Sequence, residues 1–311
     1  RYASEFGFQS FPSVKTLETV TDDPKELNPF SYVMEKHQRN YGGNGKIAKY
    51  MQAAYRYPEN FSDFVYASQL LQADGIRYGV EHYRRNRGRC MGAIYWQLND
   101  CWPVISWSSI DYYGRWKALH YYAKRFFAPV MLSCEEQSWM TVEADMNRQH
   151  FEFEKSIRLN VTNETLDAHR VLVKWAVRKT DATILREEEQ WLEVPALSAV
   201  WMDKVELPQI DCFNEYVSYE AWENDQIISQ GTVIFSYPKY FHYLNPGLAV
   251  RVDGDEIVVK AEAYAKSVEI RNENDDLILE DNYFDMNAGE YRVKILDGKP
   301  DGLKVRSVYD I

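Results

Sequence analysis

Two short runs carry the side chains with the clearest chemistry. Near the start lies Ser4-Glu5-Phe6-Gly7-Phe8-Gln9, a carboxylate set between small and aromatic residues. Far along the chain comes Ala93-Ile94-Tyr95-Trp96-Gln97-Leu98-Asn99-Asp100-Cys101-Trp102-Pro103, an apolar run ending in indoles, amides and an acid. A carboxylate at a strand end can attack an anomeric carbon, and an indole offers a flat amphipathic face to a sugar ring. Retaining glycoside hydrolysis needs a second carboxyl about 5–5.5 Å from the first. Glu5 is therefore a candidate nucleophile in search of a partner. Trp96 is a candidate sugar platform, and Gln97, Asn99 and Asp100 are hydroxyl-binding candidates, with Trp102 on the same loop. His37, in His37-Gln38-Arg39-Asn40-Tyr41-Gly42-Gly43-Asn44, either touches the sugar or orders a long loop. Each has a plainer reading: a solvated or salt-bridged junction Glu, a core Trp, loop-packing indoles.

The elements that must hold these groups alternate between strand and helix over residues 1–128. Residues 1–4 read as the end of a strand, followed by a long stretch punctuated by Pro12, Pro24, Pro29, Gly42, Gly43, Gly45 and Pro58. Stretches this long are functional or carry short helices. Ser62 is the expected cap of a helix in which Phe64, Ser68, Leu71, Gly75, Tyr78 and His82 recur near helical spacing. Arg84, Arg85 and Arg87 would complement its dipole as a solvated basic face, and Gly88 would stop it. Cys90–Leu98 is nearly continuous in apolar residues, the pattern of a strand buried on both faces of a parallel sheet. Residues 115–127 predict another helix, ended before Pro129. The order is that of two consecutive β/α units.

Beyond residue 130 the period changes. Val171, Val173, Trp175 and Val177 fall on one face with Lys174, Arg178 and others opposite, and residues 215–222 and 226–235 also read as strands. Tyr237-Pro238 and Asn245-Pro246-Gly247 mark a boundary, after which residues 256–260, 267–271, 276–279 and 291–295 suggest a smaller sandwich. Charge follows the same division: residues 1–128 carry net +5, the rest net −16. The expected domains are 1–128, 129–236 and 237–311.

Composition excludes several classes. The net charge of −11 argues against a nucleic-acid partner, and no run of apolar residues is long enough to span a membrane. Cys90, Cys101, Cys134 and Cys212 form no CxxC pair, so neither a disulfide scaffold nor a metal site is expected, and the chemistry calls for no cofactor. The chain begins with Arg1, so the absence of a leader says nothing about compartment. The cytoplasm is favoured; periplasmic, secreted and lysosomal locations stay open.

Arg1-Tyr2-Ala3-Ser4-Glu5-Phe6-Gly7-Phe8-Gln9-Ser10-Phe11-Pro12-Ser13 resembles the nucleophile segment of β-mannosidases in glycoside hydrolase family 2. Met91 through Asp100, continuing to Trp107-Ser108-Ser109, resembles the last barrel strand and loop of that family. Trp116-Lys117-Ala118-Leu119-His120-Tyr121 through Phe126-Phe127-Ala128-Pro129 is similar to its closing helix and exit, and His37-Gln38-Arg39 with Gly43-Asn44 matches a further segment. The resemblance implies the last two β/α units of a (β/α)8 TIM barrel followed by two immunoglobulin-like β-sandwiches, a multi-domain α/β plus all-β chain. It implies a retaining exo-β-mannosidase acting on a β-mannoside oligosaccharide or glycan, with Glu5 as nucleophile and Trp96 lining the terminal-mannose subsite. The acid/base Glu of the family follows an Asn, and here Asn-Glu occurs only at Asn163-Glu164, Asn214-Glu215 and Asn272-Glu273, in the acidic β region. The missing N-terminal part of the same protein, or a complementary chain, would supply it, and the chain alone is expected to be inactive. The alternatives are another family 2 exo-β-glycosidase (β-galactosidase, β-glucuronidase or exo-β-glucosaminidase) or a non-catalytic carbohydrate-binding or structural module.

Overall fold

The computed structural model describes residues 1–141 and 153–311. The chain forms two compact units. The first comprises Arg1–Ala3, Gly79–Ala93 and Arg125–Leu244; the second comprises Ser4–Tyr78, Ile94–Lys124 and Asn245–Ile311.

The N-terminal stretch runs β1 (Ala3–Phe6), three short helices α1 (Val14–Leu17), α2 (Tyr32–Lys36) and α3 (Gly43–Ala54), the long helix α4 (Phe61–Arg85), β2 (Ala93–Tyr95) and α5 (Ala118–Phe126). The bonds Met91 N to Arg1 O, Ala3 N to Gly92 O and Trp96 N to Phe6 O advance together along both segments, so β1 and β2 run parallel. Among the described residues no third strand joins them. The expected doubly buried strand over Cys90–Leu98 is therefore only three residues long, and Ile94 is 49% exposed. Ala93 and Tyr95 are partly buried, while Ile94 between them is left half exposed.

Two other expectations change. Asn60, not Ser62, caps α4: its Oδ1 accepts from Asp63 N at 2.9 Å and its carbonyl from Phe64 N. Both residue types can cap, and the Ser62 hydroxyl is engaged elsewhere, accepting from Arg306 Nη1 at 3.1 Å. The arginines ending α4 are not a solvated face either. Arg84 Nη1 donates to Phe126 O at 2.7 Å and Arg85 Nη1 to Cys134 O at 3.1 Å, both side chains being buried, while Arg87 pairs with Glu164. Fork-shaped guanidinium donors satisfy buried carbonyls that water does not reach. Gly88, with φ +96°, follows the helix as expected.

In the first unit a β-sandwich occupies most of the sequence. One sheet pairs β3 (Val130–Gln137), β4 (Ser156–Asn163) and β7 (Ser198–Trp201), with β8 (Val205–Glu206) also on β4. The other has the order β10-β9-β5-β6, from β5 (His169–Lys179), β6 (Ile184–Val194), β9 (Glu215–Glu223) and β10 (Gln226–Ile234). Alternate residues point inward: Leu132, Ile157, Leu159, Val161, Val171, Val173, Trp175 and Val217 meet in one apolar core.

In the second unit the C-terminal strands form sheets β11-β12-β16-β14 and β15-β13-β17, from β11 (Ala249–Asp253), β12 (Glu256–Ala261), β13 (Ala265–Arg271), β14 (Ile278–Leu279), β15 (Phe284–Met286), β16 (Gly289–Asp297) and β17 (Lys304–Arg306). This small sandwich is tied to the start of α4 by polar contacts. Arg306 pairs with Glu269 and, at 2.9 Å, with Asp63. Its guanidinium lies 4.4 Å from the Tyr66 ring centre, Tyr66 OH donates to Ser267 O at 2.5 Å, and Tyr283 OH donates to Glu269 at 2.8 Å. Burial, reinforced by the Glu269 charge, raises the phenol pKa values of Tyr66 and Tyr283 well above normal, so both stay neutral donors.

Candidate functional site

The two runs singled out in the sequence meet at their strand ends. Phe6 O accepts from Trp96 N at 2.7 Å, one residue beyond Glu5. At Gly7 an added Cβ would run into the Trp96 carbonyl oxygen and lie 2.8 Å from Trp107 Cδ1. Only a residue without a side chain lets the Glu5 segment cross so close to the Trp96 segment. Glu5 is exposed, with no ion-pair partner among the described residues. Trp96 is 49% exposed, and the Trp96–Gln97 peptide is cis.

Past Trp96 the chain folds back on itself. Gln97 N donates to Trp107 O at 3.1 Å, Ser109 N to Gln97 O at 3.0 Å and Ile110 N to Leu98 O at 2.8 Å. Asp100 is buried inside this loop. It accepts from Ser106 Oγ at 2.7 and 2.9 Å and from Gln97 Nε2 at 3.1 Å. Its carboxylate is thus occupied from within the loop, and so is the Gln97 amide, which also donates to Asn99 O at 2.9 Å. Asn99 is exposed. His37 accepts a bond from Ile105 N at its carbonyl (2.7 Å), and its Nδ1 lies 2.6 Å from Pro103 O; its ring packs 5.0 Å from Trp102. These contacts tie the His37 segment to the loop that follows Trp96, with Trp102 as the packing partner of the ring.

Beneath the loop lies a group that the sequence reading passed over. Lys117 is buried, donates from Nζ to Ser10 O at 3.3 Å and from its backbone to Ser109 O at 2.9 Å. Burial pushes its ammonium pKa down to about 7, while the Asp100 and Asp111 carboxylates act in the opposite direction. Ser10 N in turn donates to Ser106 O at 3.0 Å. Lys117 thereby links the segment following Glu5 to the loop following Trp96. Its signal in the sequence was a lone cation opening the apolar stretch Ala118-Leu119. A second set, Gln9 Nε2 to Gln38 Oε1 (2.6 Å) and Gln38 Nε2 to Asn44 Oδ1 (2.7 Å), ties the same segment to the loop before α3. Gly43 packs on Gln38, where a Cβ would approach Gln38 Cδ to 2.6 Å.

Of the candidates, then, Glu5, Trp96 and Asn99 are presented outward; Asp100, His37 and Gln97 build the scaffold behind them. The carboxylates of two Asn-Glu pairs are engaged in the sandwich, Glu164 with Arg87 and Glu215 with Asp211 N at 3.0 Å.

Comparison with known proteins adds three findings. Residues 155–240 match the family model of a mannosidase Ig/CBM-like domain, and residues 243–311 that of an Ig-fold domain. Beta-mannosidase B of Thermothelomyces thermophilus is 30% identical over 99% of this chain, which spans 39% of that protein; beta-mannosidase of Capra hircus is 39% identical over 42% of the chain and 16% of its own length. The crystal structure of a beta-D-mannosidase from Dictyoglomus thermophilum superposes with a TM-score of 0.84 at 25% identity, over 99% of this chain and 37% of that one. An exo-chitosanase from Amycolatopsis orientalis shares the fold at 17% identity and a TM-score of 0.65.

Proposed function

Because the chain belongs to the β-mannosidases of glycoside hydrolase family 2, we propose that it serves a retaining exo-β-mannosidase. In this reading residues 1–128 are the last two units of a (β/α)8 barrel, followed by sandwich domains over 129–236 and 237–311. The Glu5 carboxylate attacks the anomeric carbon of a terminal β-mannose. The glycosidic oxygen leaves as it takes a proton from a second carboxyl, and water then releases mannose from Glu5 with that second group as base. The second carboxyl comes from sequence outside these 311 residues. Trp96 stacks on the sugar ring and Asn99 faces its hydroxyls. Asp100, Gln97, His37, Trp102 and Lys117 hold the loop in place rather than touch the sugar.

The observation that carries this reading is the Phe6–Trp96 hydrogen bond, which sets an exposed carboxylate and an exposed indole at adjoining ends of parallel strands. In (β/α)8 enzymes the C-terminal strand ends are where catalytic groups collect. The test is Glu5→Ala in the full-length protein, assayed on a panel of aryl β-glycosides. The expected result is preference for the mannoside and a kcat loss of about 10³-fold or more. Activity within tenfold of the unaltered enzyme would overturn the assignment of Glu5, and preference for another glycoside would overturn the mannose specificity.

A further inference from the structure

The solvent side of the β10-β9-β5-β6 sheet carries a pattern that the core does not use. Leu172 on β5 lies opposite Trp191 on β6 and opposite Trp222 on β9, and Trp222 lies opposite Ile227 on β10. Residues directly opposite in a ladder share a face. Alternation puts the neighbouring Val171 and Val173 on the other, buried face. Trp191, Leu172, Trp222 and Ile227 therefore form one apolar row across all four strands on the outside, with Trp191 54% and Ile227 43% exposed. The two indoles are two strand spacings apart, about 10 Å, roughly the length of two sugar rings.

A polar row stands beside the apolar one. Lys174 lies opposite Glu189 on one side and Glu220 on the other. Its Nζ is 3.5 Å from Glu189, and Glu220 accepts from Trp222 Nε1 at 2.8 Å. Arg170 stacks 4.5 Å from the Trp191 ring and Lys174 lies 5.3 Å from the Trp222 ring, which fixes both indoles at little entropic cost on binding. Next to them is a shallow depression of about 460 Å³ lined by Lys174, Arg178, Glu187, Glu189, Ser218 and Glu220.

We propose that this face binds an extended β-linked oligosaccharide, with Trp191 and Trp222 stacking on alternate sugars and the Lys174–Glu189–Glu220 row bonding their hydroxyls. Two observations favour a glycan over other occupants. The acidic charge of this part of the chain repels nucleic acid. Charged groups directly flank the apolar row, whereas the centre of a protein interface is depleted of charge. The inference is independent of Glu5, since binding can be read without turnover.

Mannohexaose is titrated into the 311-residue chain by calorimetry, with cellohexaose as a second probe. Millimolar or tighter binding is expected in a Trp96→Ala background, which takes the other sugar platform out of the reading, and it is weakened at least tenfold when Trp191→Ala or Trp222→Ala is added with unchanged circular dichroism. Equal binding of cellohexaose also supports the proposal, which specifies the β-linked chain and not the sugar. No binding of either probe in that background, or binding that survives both substitutions, overturns it. Should Trp222→Ala fail to fold, Trp191→Ala, half exposed on an edge strand, decides alone.

Discussion

The strand pair β1–β2 and the strand pair β5–β9 both carry apolar residues and differ in what surrounds them. On β5, Val171 and Val173 are fully buried, because the facing sheet β3-β4-β7 lies within the same sequence. On β2, Ile94 is half exposed, and among the described residues no further strand joins the β1–β2 pair. Apolar character marks a strand as one to be covered; it does not say what covers it. The uncovered pair is also the pair that presents Glu5 and Trp96. The second unit shows a further way to hold strands. There the small sandwich is tied down by a buried charge network around Arg306 as well as by apolar contact.

Three experiments on the 311-residue chain probe these contrasts. The largest effect is expected at the charge network. Arg306→Ala leaves Glu269 buried without its partner and should cost about 3–5 kcal/mol in denaturant unfolding; a cost below about 1 kcal/mol would mean that the network is incidental. Next comes a matched pair of apolar truncations. Leu159→Ala, in the closed sandwich, should cost about 2–5 kcal/mol, and Ile94→Ala, on the uncovered strand, less than about 0.5 kcal/mol. Equal costs would break the comparison between covered and uncovered strands. The third experiment concerns Lys117. Its pKa is about 7 folded against 10.5 for an unperturbed lysine, so the unfolded chain binds more protons between those values. Its contribution to stability therefore rises as pH increases from 7 to 9, by about 2 kcal/mol, and the destabilisation is fully present below about pH 7. Unfolding midpoints at pH 7 and 9 should show this rise in the unaltered chain and its absence in Lys117→Met; the same slope in both would place the lysine in a wetter site.

How much of this was legible in advance depended on the range of the signal. The alternation of Val171, Val173, Trp175 and Val177 is local, and it located β5. The glycine at position 88 is local too, and it marked the end of α4. The expected cap at Ser62 lies two residues too late, because Asn60 and Ser62 are both capping types and the helix already begins at Phe61. The arginines closing α4 read as solvated because their acceptors, Phe126 O and Cys134 O, lie some 40–50 residues away. Asp100 differs: its hydroxyl partner, Ser106, is only six residues away, yet residue type and spacing do not show that the loop turns the two together.

The sequence by itself determined the order of elements, the change from helical to alternating period, the family resemblance and the two runs in which Glu5 and Trp96 stand. Each of these is written in residue type and short spacing. Only the tertiary structure decided which polar groups face outward and which are spent on the scaffold, and that Trp191, Leu172, Trp222 and Ile227 share one row. Strand register sets that row, and a slip of one residue would have turned every side chain to the other face.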